Sequence, residues 1–81
     1  MSRTVEVEYF AILREQRSLA RERLATDAAT AADLYAELRA RHGFTLPTEF
    51  LRVAVNDEFA PWTTALREGD RLVFIPPVAG G

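Results

Sequence analysis

The fold turns on the reading of Ala11-Ile12-Leu13-Arg14-Glu15-Gln16-Arg17-Ser18-Leu19-Ala20-Arg21-Glu22-Arg23-Leu24-Ala25-Thr26. This run has high helix propensity and contains neither Gly nor Pro, so propensity alone favours one long helix. The competing reading is a short helix followed by a strand over about residues 20–25. Local sequence leaves both open. If a strand is present, the order of elements becomes ββαββ, which is an α+β domain. One helix can then cover one face of a four- or five-stranded sheet.

The flanking segments are plainer. Val5-Glu6-Val7-Glu8-Tyr9 alternates apolar and polar side chains, the mark of a half-buried strand with Val5, Val7 and Tyr9 inward. Phe10 shares parity with Glu6 and Glu8, and so should point away from the core. The simplest account ends the strand at Tyr9 and tucks Phe10 under a loop. Thr30 is a good N-cap, with Asp33 in the first turn, and Leu34 and Leu38 with Ala31 and Tyr35 form an apolar stripe. Gly43 suits the left-handed position that closes this main helix, placed at about 31–42, with Phe44 folding back on Leu38. His42 is then a residue compatible with the helix terminus rather than a ligand.

Leu51-Arg52-Val53-Ala54-Val55 reads as a strand with Leu51, Val53 and Val55 on one face, and Asn56-Asp57 as a turn, with Phe59 opening the next segment. Residues 61–67 look irregular, and Trp62 reads as packing. Gly69-Asp70 precedes a last β-rich run, Arg71-Leu72-Val73-Phe74-Ile75. Val73 and Ile75 share one face and Leu72 and Phe74 the other, and the run alone does not say which is core.

Composition limits what the chain can do. It has 81 residues, 48% of them hydrophobic, which suits one domain with one modest core. There is no Cys, so thiolate chemistry, disulfides and Cys-based zinc sites are excluded, and the single His42 excludes a multi-His site. All ten basic residues are Arg, spread along the chain, and the net charge is −2. Nucleic-acid binding has no support in that distribution. Without lysine, the chain cannot accept an isopeptide bond on a lysine of its own. No membrane-length apolar run or signal-peptide pattern occurs, and the expected location is the cytoplasm.

The chain ends Pro76-Pro77-Val78-Ala79-Gly80-Gly81. Neither proline can donate a ladder hydrogen bond, so the strand should stop before them, and together they stiffen the base of the tail. This divides the chain into a domain over 1–75 and an extended tail over 76–81. The side chains then shrink, and nothing after Arg71 is charged except the terminal carboxylate. Two glycines give the thinnest backbone and free it to bend. An uncharged tail enters a buried channel at low desolvation cost. Extended, residues 76–81 reach up to about 20 Å. These are the needs of a carboxylate that must be activated and delivered inside another protein. A frayed end with two chance glycines is expected in roughly one chain in 200.

Phe74-Ile75-Pro76-Pro77-Val78-Ala79-Gly80-Gly81 resembles the ending of the molybdopterin synthase small-subunit family, which Pro-Pro-Val-x-Gly-Gly after a strand marks. Phe10-Ala11 with Arg14-Glu15, Ala54-Val55-Asn56 and Gly69-Asp70 also match, and the resemblance runs essentially the full length. It implies a ubiquitin-like β-grasp fold and settles residues 11–26 as a short helix and a strand. It implies a sulfur carrier whose Gly81 carboxylate is adenylated with ATP by an enzyme of the ubiquitin-E1 type. A sulfur donor protein then converts it to a thiocarboxylate, with Gly80 beside it. The sulfur passes to a cyclic pyranopterin precursor in molybdenum-cofactor synthesis. The family's synthase is a heterotetramer with its catalytic residues on the large subunit, and the carrier itself binds no metal or cofactor. The resemblance places Phe10, Phe59 and Ile75, with Val73, on the partner-facing patch, followed by Pro76, Pro77, Val78 and Ala79 of the inserted tail. Arg14 matches a position near that patch, facing either a partner acid or a plain surface ion pair. Two other readings share the Gly-Gly end: a sulfur carrier for thiamine, thio-tRNA or cysteine synthesis, and a ubiquitin-like protein modifier.

Overall fold

Ser18 is where the helical run stops. Its φ of 66° is left-handed, and its N–H closes back on the Arg14 carbonyl at 2.8 Å. The computed structural model, which describes residues 2–77, therefore has a short helix α1 (Ala11–Arg17) and then a strand β2 (Arg21–Thr26). β2 pairs antiparallel with β1 (Arg3–Tyr9) from Arg3↔Thr26 to Glu8↔Arg21. Tertiary pairing overrides helix propensity here: β1 has a free edge, and six residues of ladder outweigh a few tenths of a kcal/mol per residue of preference.

Side-chain bonds lock the same junction. Arg17 donates from Nε and a terminal nitrogen to the two carboxylate oxygens of Glu22, at 2.8 and 2.9 Å, and Tyr9 Oη donates to Glu22 Oε2 at 2.7 Å. The hydrogen bonds from Arg17 chiefly hold the Glu22 carboxyl below its ordinary value of 4.5, against the opposing pull of burial. Burial and the Glu22 carboxylate push the Tyr9 phenol well up, so it stays a donor. With a folded pKa below the unfolded one, Glu22 stabilises the fold fully above about 4.5 and loses that contribution as pH falls through the folded value. Thermal midpoints between pH 7 and 2.5 should therefore drop less steeply in Glu22→Gln than in the parent. Parallel curves would contradict this.

The remaining elements are α2 (Ala31–His42), a 3-10 turn (Thr48–Phe50), β3 (Arg52–Val55), β4 (Glu58–Ala60) and β5 (Arg71–Ile75). Thr30 caps α2, its Oγ1 accepting from the Asp33 N–H at 3.2 Å, and Gly43 ends it at φ 73°. The five strands form one mixed sheet in the order β2-β1-β5-β3-β4, with β1 and β5 parallel and the other neighbours antiparallel. This is the β-grasp, ubiquitin-like fold. No helix among the described residues is long and apolar enough to cross a membrane.

The core lies between α2 and one face of the sheet. Val5, Val7 and Tyr9 of β1, Val53 of β3, and Leu72 and Phe74 of β5 meet Leu34, Tyr35 and Leu38. Tyr35 is the hub: its ring lies 5.9 Å from Phe44 and 5.2 Å from Phe74, and its hydroxyl donates to the Leu46 carbonyl at 2.6 Å. Trp62 stacks on Phe74 at 5.9 Å, so it is a packing residue as expected. His42 ends α2 with its ring 5.8 Å from Phe44.

Asn56 and Asp57 both have positive φ, 52° and 72°, which is the pattern of a two-residue type I′ hairpin between β3 and β4. The buried carboxylate of Asp70 ties this turn to the start of β5. It accepts from Asn56 Nδ2 at 3.0 Å and from the Arg67 N–H at 2.8 Å, while Asn56 Oδ1 accepts from the Arg71 N–H at 3.0 Å. Asp70→Ala leaves two donors without their acceptor and should cost about 2 kcal/mol in urea unfolding. A loss below about 0.5 kcal/mol would show that water replaces the carboxylate.

Candidate functional site: the outer sheet face and the root of the tail

β5 decides which side of the sheet faces outward. Leu72 and Phe74 are fully buried in the core, which puts Val73 and Ile75, both half-buried, on the opposite face. The ladders then fix their neighbours. Val73 lies between Glu8 of β1 and Ala54 of β3, Ala54 lies beside Phe59 of β4, and Ile75 lies opposite Arg52. The outer face divides in two. Its β2-β1 half carries Arg21 opposite Glu8 and Arg23 opposite Glu6, and its β5-β3-β4 half carries Val73, Ile75, Ala54 and Phe59.

Phe59 is 67% exposed, with the Arg52 guanidinium 5.5 Å from its ring centre. Phe10 follows the Tyr9↔Phe74 pair by one residue, at the strand end that carries Ile75. The strand does end at Tyr9, but Phe10 is not tucked under a loop: it remains 41% exposed. β1 turns sharply into α1 at this point, with Ala11 at φ 52°, so no loop passes over the ring. Arg14 is exposed on α1, and no carboxylate pairs with it among the described residues.

The two prolines differ. Pro76 is buried and Pro77 exposed. The tail expected over 76–81 thus starts with a buried residue, and the exposed chain starts at Pro77. Val78, Ala79, Gly80 and Gly81 lie outside the described residues. The sequence reading missed Phe50, which is 60% exposed on the 3-10 turn beside this root. The parity that singles out Phe10 would have found it, since Phe50 alternates with the inward-facing Leu51 and Val53.

An exposed apolar patch running to the base of a C-terminal tail is a protein-docking arrangement. Residues 7–81 match the ThiS family. The chain belongs to that family. It is a ubiquitin-like protein of the sulfur-carrier type. Among solved structures it is similar to SAMP1 from Haloferax volcanii, at 30% identity and a TM-score of 0.79, over 96% of this chain and 99% of that one. It is also similar to a putative molybdopterin converting factor subunit 1 from Pyrococcus furiosus, at 27% identity and a TM-score of 0.76, covering 94% and 99%. A third similar structure is the complex of subunits 1 and 2 of the molybdopterin-converting factor from Helicobacter pylori, at 29% identity and a TM-score of 0.64, covering 96% and 99%. A search of curated proteins gives no match. The last of these structures shows the similar subunit bound to a second subunit.

Proposed function

We propose that this chain is the sulfur-carrying small subunit of a molybdopterin synthase. The observation that carries the reading is the junction of the outer apolar patch, Phe59, Val73 and Ile75, with the root of a Gly-Gly tail at Pro76 and Pro77. The likeness to converting-factor subunits supports it. On this reading Phe10, Phe59, Val73 and Ile75 dock the large subunit, Arg14 meets an acid at its margin, and the tail through Val78 and Ala79 threads into the large subunit's site.

The chemistry proceeds at Gly81. A carboxylate is a poor electrophile, so its oxygen first attacks the α-phosphorus of ATP on an E1-like enzyme, with release of pyrophosphate. A sulfur nucleophile at the oxidation level of sulfide then displaces AMP from the acyl carbon. In the synthase the thiocarboxylate sulfur bonds to a carbon of the pyranopterin precursor, and the oxygen substituent on that carbon leaves as the C–S bond forms. Hydrolysis of the acyl C–S bond then restores the carboxylate. The carrier contributes no catalytic side chain, and with no Cys it has no thiol for sulfur other than the terminus. The catalytic groups belong to the large subunit.

The test mixes the thiocarboxylated chain with the large subunit and the precursor and assays dithiolene product. Product from the thiocarboxylate but not from the plain carboxylate supports the reading. No product from a competent large subunit rejects it.

The likeness to SAMP1 favours a second reading, a small protein modifier joined to lysines of other proteins. Higher-mass conjugates that depend on Gly81 would establish it. Since the chain has no lysine, such conjugates should not extend through lysines of the carrier itself.

A further inference from the structure

Where β3 and β5 lie side by side at the edge of the outer face, Phe50, Leu51 and Arg52 face Ile75, Pro76 and Pro77 across a groove of about 430 Å³. Three observations make it more than a surface wrinkle. Phe50 lines it with 60% of its surface exposed. Arg52 has no carboxylate within ion-pair distance among the described residues, whereas Arg17, Arg41 and Arg71 each have one. Its guanidinium is instead steadied over the Phe59 ring at 5.5 Å. Finally, on the sulfur-carrier reading the reacting group sits at Gly81, four residues beyond Pro77, and these span at most about 14 Å. A protein that encloses so short a tail to its end must bring its own surface up to Pro77, and so over this groove.

We propose that the protein receiving the tail seats a short segment in this groove, with a carboxylate paired to Arg52 and an apolar side chain against Phe50 and Pro77. The inference rests on the sulfur-carrier reading and adds to it the chemistry of the contact. A guanidinium already placed over an aromatic ring loses less freedom on meeting a carboxylate, to which it can present two parallel donors. Arg beside exposed aromatics is the composition of an interface hot spot. Glu49 also lines the groove, and its carboxylate repels an acid brought beside it. The bound segment therefore runs with its acid toward Arg52.

The experiment measures the dissociation constant of the full chain for the large synthase subunit by calorimetry. Arg52→Glu should weaken binding at least about tenfold, and Arg52→Lys should weaken it less. Arg41→Glu, on α2 across the core, should leave it unchanged. Since Arg52 is exposed, the thermal midpoint should not move in Arg52→Glu. A change of twofold or less, or one matched by Arg41→Glu, overturns the proposal. The chain lacking residues 78–81 is measured alongside. Arg52→Glu should weaken binding of both chains by a similar factor; a loss seen only in the full chain means that Arg52 acts through the chain's own tail, and that too overturns the proposal. Failure of the parent chain itself to bind the large subunit strikes the molybdopterin-synthase reading, and the inference falls with it. Tight parent binding that ignores Arg52 strikes the inference alone.

Discussion

Removing Gly80 and Gly81 should abolish sulfur transfer, by at least about a thousandfold, while the thermal midpoint stays where it is. Both halves follow from where the structure keeps its contacts. The hydrophobic core runs from Val5 to Phe74, and Pro76 is the last buried residue described. Gly80 and Gly81 have no side chain to add to that core. Function has no such reserve. The chain has no Cys, so losing the terminal acyl group removes its only proposed sulfur site. A shortened tail would still end in a carboxylate, at Ala79, but displaced by about 7 Å from where the partner's reacting groups sit. Misplacement of even about 1 Å can cost a hundredfold. Gly80→Val separates reach from girth. It keeps the carboxylate at full reach and thickens the backbone beside it, so a large loss there shows that the channel selects a thin chain. Adenylation measured by pyrophosphate release, and transfer measured by dithiolene product, read the two steps apart. Near-parental transfer from the truncated chain would end the case for Gly81.

Much of this could be read from the residues, and the parts that could not share a cause. The α2 helix was legible because each of its signals is local: the Thr30 cap, the Asp33 first turn, the 3.6-residue stripe and Gly43. The hairpin at Asn56-Asp57 was legible because few residue pairs accept positive φ twice. β2 was not legible from propensity, because what makes it a strand is β1, a partner about 18 residues away in sequence, together with the Glu22 bonds to Tyr9 and Arg17. The same holds for β5. Alternation divides Leu72 and Phe74 from Val73 and Ile75, but only the position of α2 says which pair is inside. At the candidate site, Phe10 could be flagged by parity alone. The groove beside Phe50 could not, because it exists only once β3 and β5 are paired, at Arg52↔Ile75. Pro76 shows the limit of reading chemistry off residue type. Proline ends a ladder but still has an apolar ring to bury, and here it is buried.

Phe74→Ala should remove about half of the domain's stability. Phe74 is fully buried, packs edge-on against Tyr35 at 5.2 Å and stacks on Trp62 at 5.9 Å. Truncating such a ring costs about 3–5 kcal/mol, since the aromatic frame around it cannot collapse into the void. A domain of this size has a total stability of the order of 5–10 kcal/mol. One substitution would therefore remove about half of it. Phe74→Leu, which refills most of the volume, should cost only about 1–1.5 kcal/mol. Urea titration followed by far-UV circular dichroism reads both. A loss under 1.5 kcal/mol for the alanine variant would mean that Tyr35 and Trp62 close the cavity. The consequence extends beyond stability. Phe74 sits between Val73 and Ile75 on one short strand, so the contact that anchors β5 to the core also holds the outer patch and the root of the tail in register with β1 and β3. In urea near the alanine variant's midpoint, partner binding should fall with the folded fraction and recover when the large subunit is in excess, because a partner that binds only the folded state draws the equilibrium back. Phe59, which the proposed function places at the docking surface, is exposed and outside the core and should behave in the opposite way: its replacement by Asp should weaken binding without moving the urea midpoint.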